Sequence, residues 1–376
     1  MAYTTIDKPD DYFNCRLYTG DPHNHSTVNT GFRPDFVWLK SRTQTYDHYV
    51  YDSSRPADGT SMPSGDINMY AYLRTNVDIG SSNVEGDNNA DGIVQTSTGF
   101  IVDKDSQALG EGGQSATSTV GENMVAWSWK ANGGTRTTFT ESGNDPGGGR
   151  QVDTTAGFGI YDYTGTGTGT GGNIAHGLGA TPEVLWIKDR DQSEHFLVIT
   201  TAIDGSRDGM YLETGGAKFD LGSANEIVVD STNIRLSNNW VDSNRDGDKY
   251  IMYAFAQKQG YSKFGTYVGN NNSDGPYVYT GFKPAWVMVK ATSGTENWGI
   301  FDNVRNKEPN NPRDIYLMPS VNNADSSESD SVDFLSNGFK WRVASGFRNG
   351  DGVTFFYMAF AESPFVTSNG VCSNAG

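Results

Sequence analysis

The chain has 376 residues, room for two or three ordinary domains, and among them are 46 Gly, 19 Tyr, 19 Phe and 8 Trp. Glycine at this level without a three-residue period excludes collagen, and 12% aromatics gathered into alternating runs exclude disorder; turn-rich β structure accounts for both. A formal net charge of −17 repels a phosphate backbone and an anionic lipid surface, so neither a nucleic-acid partner nor membrane insertion is expected.

The opening MAYTTIDKPDDYF has neither the basic region nor the apolar core of a signal peptide, and no apolar run reaches the length of a membrane span. Synthesis in a cytoplasm is expected, with exit by lysis or assembly. Cys15 and Cys372 lie near opposite ends, too few to establish a disulfide framework.

The first predicted element is a short aromatic strand, Leu17-Tyr18-Thr19, ending at Gly20. Gly31-Phe-Arg-Pro34 then leads into Asp-Phe-Val-Trp38-Leu-Lys40, a run apolar on both faces that predicts a strand covered on both sides. Pro at the strand entrance removes no ladder hydrogen bond. His48 to Tyr51 forms a further strand. Between Asp52 and Gly99, Ser, Asn, Asp and Gly dominate, which predicts surface loops with short strands such as Asn68 to Leu73. Ala126-Trp127-Ser128 closes the unit. Residues 131–156, with Pro146-Gly-Gly-Gly149, read as a linker, an inter-domain loop or a loop within a composite sheet.

The same series then returns twice. Tyr161-Asp-Tyr163 before Gly165, Gly179-Ala-Thr-Pro182 running to Lys188, His195 to Ile199, and Ala254-Phe255-Ala256 make the second copy. Tyr267-Val-Gly269, Gly281-Phe-Lys-Pro284 running to Lys290, Trp298 to Phe301, and Ala359-Phe360-Ala361 make the third. Tyr18, Tyr163 and Tyr267 precede their prolines by 16, 19 and 17 residues, and the next strand begins 14, 13 and 14 residues after the proline. Four landmarks in one order at matched spacing are the strongest signal in the chain. They predict an all-β protein of three tandem β-sandwich or jelly-roll domains. The first spans 1–130, with an N-terminal attachment segment and the long insertion. The others span 157–258 and 262–362, with a tail at 363–376. Only Gln259-Gly260-Tyr261 joins the second and third, which are expected to pack together.

His48 and His195 hold equivalent positions that Trp298 takes in the third copy, a pattern that reads as space-filling rather than proton transfer. His23-x-His25 offers two ligands for a divalent ion without a third. The best ion-binding candidate is Asp242-Ser-Asn244-Arg-Asp246-Gly247-Asp248, whose oxygens at alternate positions around a Gly turn can converge on calcium, as in the first half of an EF-hand loop. The twelfth position is Tyr253 where a bidentate Glu is required, and the third copy has Gly346, Arg348, Gly350 and Gly352 at the matching places. Calcium would then be particular to the second copy, with a polar hairpin loop as the alternative. The Gly-Thr repeat from Thr164 to Gly172 lacks the Lys-Ser/Thr ending of a phosphate-binding loop. No residue suited to catalysis recurs in all three copies, so no enzyme activity is expected; a glycan-acting enzyme is the remaining catalytic alternative.

The opening MAYTTIDKPDDYFNCRLYTG, the strand GFRPDFVWLKSR, the Gly-Thr-rich loop before His176-Gly-Leu-Gly179 and the closing WSWKANGG resemble a family of tailed-bacteriophage virion proteins, common in phages of marine bacteria and cyanobacteria. The likeness covers nearly the whole chain. It implies concanavalin A-like or jelly-roll domains, a place in the virion and a structural or tail-fibre-like role, and it carries over no catalytic residue. As a tail or capsid appendage or decoration component, the protein would contact other virion proteins, tail or major capsid. As an adhesin at a tail-fibre tip, it would present the loops at 57–95, 165–177 and 269–276 and Tyr or Trp platforms to a host glycan or receptor, where tandem domains add avidity. Tandem copies also suit a monomer that mimics a trimer at a threefold position, and a homo-oligomer is compatible with either role. The chain holds no heptads for a coiled-coil stem. A virion structural appendage is the expected role.

Overall fold

A computed structural model describes residues 3–21, 25–55, 67–69, 71–77, 86–87, 92–102, 121–167, 172–222, 227–236, 240–306 and 310–373. These residues form an essentially all-β fold of antiparallel sheets, with single helical turns at Pro9–Asp11 and Gly346–Asn349.

Three successive sections of the chain repeat one strand order. In the first, Phe13–Thr19 pairs with Asn123–Trp129, which pairs with Phe36–Ser41, which pairs with Tyr49–Asp52. The second places Phe158–Thr164, Lys249–Phe255, Val184–Asp189 and Phe196–Thr200 in that order, and the third Ser262–Val268, Thr354–Pro364, Phe282–Ala291 and Gly299–Asp302. Each of these inner sheets faces a smaller outer sheet. The outer orders also agree: Thr27–Asn29, Gly99–Val102, Ile93–Thr96; then Gly172–Ala175, Asn233–Leu236, Val228–Val229; then Tyr277–Tyr279, Gly338–Trp341, Ser326–Leu335. Gly31, Gly179 and Gly281, which open the three Gly-x-x-Pro turns, have φ of +81°, +70° and +84°. That left-handed conformation disfavours a side chain, which explains the recurring glycine. In the third section Pro284 lies inside its strand, at a register shift where the ladder is already interrupted.

The alternating side chains of each inner sheet enter two different cores. One face packs on the section's own outer sheet: Val37, Leu39 and Ala126 with Val28, Ile93 and Phe100; Leu185, Ile187 and Met252 with Ile174 and Ile234; Val287, Val289 and Tyr357 with Val278, Phe334 and Phe339. The opposite faces of all three inner sheets meet in one central cluster. It holds Phe36, Trp38, Trp127 and Trp129 of the first section, Val184, Trp186, Tyr253 and Phe255 of the second, and Trp286, Met288, Met358 and Phe360 of the third. Ring contacts cross every boundary: Phe36 to Tyr253 at 4.7 Å, Trp129 to Trp286 at 5.8 Å and Phe255 to Phe360 at 6.0 Å between centroids. A sheet buried on both sides has no polar face to show. The near-continuous apolar runs ending at Lys40, Lys188 and Lys290 follow from that.

Strand register revises one correspondence read from sequence, that of the closing strands. Trp38 lies opposite Trp127 and Trp186 opposite Tyr253, whereas Trp286 lies opposite Phe360. Counted from the proline, Trp286 therefore matches Phe36 and Val184, and Met288 matches Trp38 and Trp186. Trp129, not Trp127, is accordingly the counterpart of Phe255 and Phe360. A shift of two residues keeps a side chain on the same face, so a period-two pattern cannot detect it.

The segment 131–156 is more than a linker: Thr137–Phe139 and Gly148–Asp153 extend the second section's inner sheet to eight strands. Its beginning is tied to the first section by buried Asp35, which accepts the backbone N–H groups of Ala131 (2.7 Å), Gly133 (2.9 Å) and Gly134 (2.6 Å). This gives the WSWKANGG motif a physical reason. Both cysteines are free thiols, Cys15 buried and Cys372 exposed.

Candidate functional site

The residues that unite the three sections form a cyclic set of junctions around the central core. Asp52, Thr200 and Asp302 stand opposite Phe36, Val184 and Trp286 respectively, so they occupy one structural position. Each folds the following turn by accepting a backbone N–H: Ser54 on Asp52 (3.0 Å), Ala202 on Thr200 (3.0 Å), Val304 and Arg305 on Asp302 (3.1 and 3.0 Å). The two aspartates also bind an arginine three residues on. Arg55 and Arg305 reach Asp52 and Asp302 at 2.6 Å, with all four side chains fully buried.

Each aspartate then receives a donor from the next section. Tyr253 donates to Asp52 at 2.7 Å, and Trp127 donates through Nε1 to Asp302 at 2.9 Å. Tyr253, Trp127 and Met358 hold one structural position, so the second section touches the first, and the first touches the third. At the remaining junction the charged pair is replaced by Thr200 and Ile203, and the donor by Met358; Ile203 packs on the central cluster. At these matched positions two junctions are polar and one is apolar. The second and third sections are also joined by hydrogen bonds from Trp298 Nε1 to the Tyr211 carbonyl (2.9 Å) and from Lys290 to the Gly215 carbonyl (3.1 Å). A buried ion pair with its remaining oxygen satisfied fixes a geometry, while an apolar contact contributes burial alone.

Lys40, Lys188 and Lys290 are buried at matched positions, which the sequence had shown only as a strand ending. Lys40 donates to the carbonyls of Ser41 (2.7 Å) and Gln44 (3.0 Å), Lys188 to that of Glu194, and Lys290 to those of Ala291 (2.8 Å) and Gly215 (3.1 Å). Burial pushes Lys40 and Lys290 down to about 8.

A cluster of titratable groups belongs to the second section. The His195 ring stacks on Tyr211 with centroids 3.8 Å apart, and its Nδ1 meets Glu213. Tyr211 donates to Asp242 at 3.3 Å. Asp242 is buried, its Oδ1 has no hydrogen-bond partner, and burial pushes its carboxyl up to about 6. A carboxyl raised above its unfolded value of about 3.9 contributes most stability below that value and loses it as pH rises through 6. Asp242→Asn is therefore expected to raise stability at pH 7.5 by about 2 kcal/mol and to flatten the dependence between pH 4 and 6, read from urea melts across that range.

The calcium candidates separate among different neighbours. Asp242 turns to Tyr211; Asn244 accepts the Thr166 N–H at 3.0 Å; Asp248 pairs with Arg245 at 3.3 Å; Asp246 is exposed. Among the described residues no three His, Cys, Asp or Glu side chains converge as a metal centre requires. His48 is buried, accepts the Trp38 Nε1–H at 3.1 Å and is held well below the usual imidazole range by burial. His25 contacts the Val102 carbonyl; His23 lies outside the described residues, as do most of the 57–95 loop and part of the 165–177 loop. No helix among the described residues is long and apolar enough to cross a membrane.

Sequence reasoning missed the junction residues. Asp52-x-x-Arg55 and Asp302-x-x-Arg305 are visible as a pair in the sequence, but Thr200 in the second copy hides the position.

No curated protein and no solved structure matches the chain. One family model does, and it runs across all three sections as a single unit. The chain belongs to the family described as a domain of unknown function (DUF7483), matched over residues 8–364.

Proposed function

We propose that this protein is a structural component of a tailed-phage virion, a tail or capsid appendage that works through protein–protein contacts rather than catalysis. Each section is read as a concanavalin A-like or jelly-roll sandwich. One observation carries the reading: three sections of identical strand order surround one shared core, a single-chain counterpart of a trimer. Such a body suits a threefold or quasi-threefold position built from other virion proteins. The buried ion pairs at Asp52 and Asp302 each accept a donor from another section, which suits a rigid part. The motif likeness to virion proteins supports the same reading. The test is quantitative mass spectrometry and cryo-electron microscopy of purified particles from the encoding phage. A fixed copy number with density at one symmetric location is expected; absence of the chain from purified particles overturns the reading.

A further inference from the structure

The three sections serve as internal controls for one another: where exposed residues differ at matched positions, the difference is not demanded by the fold. On the first outer strand of the three sections, the residues flanking the buried Val28, Ile174 and Val278 are Thr27 and Asn29, Asn173 and Ala175, and Tyr277 and Tyr279. Only the third section places large rings there, and both remain open, Tyr277 at 44% and Tyr279 at 54% exposure.

Tyr277 is held rather than loose. Its neighbour strand carries Gly338 opposite Tyr279, and a Cβ on Gly338 would come within 3.0 Å of the Tyr277 ring. The ring therefore leans along the sheet over the glycine, and its hydroxyl donates to Asn337 Oδ1 at 2.7 Å. Across the strands, Tyr277 pairs with Lys340 and Lys340 with Asp333, all on the outward face. Beyond them open two adjoining cavities that share Pro312. One of about 500 Å³ is lined by Ser273, Asp274, Asp333 and Arg342. The other, of about 370 Å³, is lined by Asn306, Asn311, Asp314, Ser327 and Ser329.

We infer that this face of the third section is a binding site for a neutral, hydroxyl-rich oligosaccharide. A pinned ring with a bare face offers a platform for the C–H face of a pyranose. Amide, hydroxyl and carboxylate groups in the cavities supply the mixed donors and acceptors that sugar hydroxyls need. Asp274 pairs with Lys340 at 2.8 Å and Asp333 with Arg342 at 3.6 Å, and Asp314 accepts the Ser331 N–H at 3.3 Å. The cations on this face are thus matched by carboxylates, which favours a neutral ligand over an anion. The inference stands apart from the virion reading, because the isolated chain binds or does not bind sugar wherever it resides.

The test uses the full chain on an array of neutral hexose and N-acetylhexosamine oligosaccharides, followed by calorimetry with the best of them. Tyr277→Ala/Tyr279→Ala is expected to weaken binding by about tenfold or more with an unchanged melting temperature, while Thr27→Ala at the matched position in the first section leaves it intact. Should the double variant misfold, protection of Tyr277 and Tyr279 from hydroxyl-radical oxidation by the bound oligosaccharide reads the same site in the unaltered protein. Binding by no neutral oligosaccharide, equal binding by a folded double variant, or protection elsewhere on the surface overturns the inference.

Discussion

Trp286→Ala is expected to destabilise the whole chain by about 3–5 kcal/mol and to do so in one transition. Trp286 is fully buried in the third section, yet its ring meets Phe13 at 6.4 Å and Trp129 at 5.8 Å in the first as well as Phe360 in its own. Removing it opens a cavity whose walls belong to the first and third sections, and the central cluster links both to the second. Independent tandem domains would instead show one early transition and two unchanged ones. Urea unfolding followed by tryptophan fluorescence and far-UV circular dichroism separates the outcomes, and coincident curves displaced together are expected. Trp286→Phe is the milder control. The indole N–H has no partner in the core, so the phenyl ring loses volume without leaving an acceptor unmet.

The second large effect concerns the junction between the first and third sections. Arg305→Ile alone is expected to cost about 3–5 kcal/mol, because it strands the buried carboxylate of Asp302 without its cation. Arg305 also binds Asp325 at 3.0 Å and the Ile300 carbonyl at 2.8 Å, so several acceptors lose a donor at once. The second section shows how the same turn is built without charge, with Thr200 and Ile203 in place of Asp302 and Arg305. Asp302→Thr/Arg305→Ile is accordingly expected to recover part of the loss, since the threonine hydroxyl can accept the turn N–H as Thr200 does, while the buried Trp127 N–H goes without its carboxylate acceptor. A double-mutant cycle in urea gives the coupling; strict additivity of the two losses would show that the junction is not a unit.

These effects mark where sequence was legible. Local chemistry was: Gly31, Gly179 and Gly281 announced their turns through a backbone conformation, and the runs to Lys40, Lys188 and Lys290 announced sheets covered on both sides. What covers the second side was not legible, because Phe36 meeting Tyr253 depends on how sections dock, and no spacing along the chain encodes that. The two-residue offset that makes Trp129, not Trp127, the counterpart of Phe255 and Phe360 escaped for a simpler reason, since alternate positions on a strand are chemically equivalent until register is known. Among the candidate sites, the acidic loop at Asp242 to Asp248 had the composition of an ion site. Asp242 instead meets Tyr211 and Asn244 meets Thr166, partners from elsewhere in the sequence, while Asp248 pairs with Arg245 inside the loop itself. The tyrosines at 277 and 279 lay in what read as a connecting loop, and only the strand and their exposure distinguish them from Val278.

Because both faces of every inner sheet are committed to packing, each section has one broad surface left to vary, the outside of its smaller sheet. Substitutions there leave the centre undisturbed, so the three surfaces can drift apart in chemistry while their mutual angles stay locked. A homotrimer must change all its faces together with each mutation. This chain can carry three unlike addresses on one rigid body.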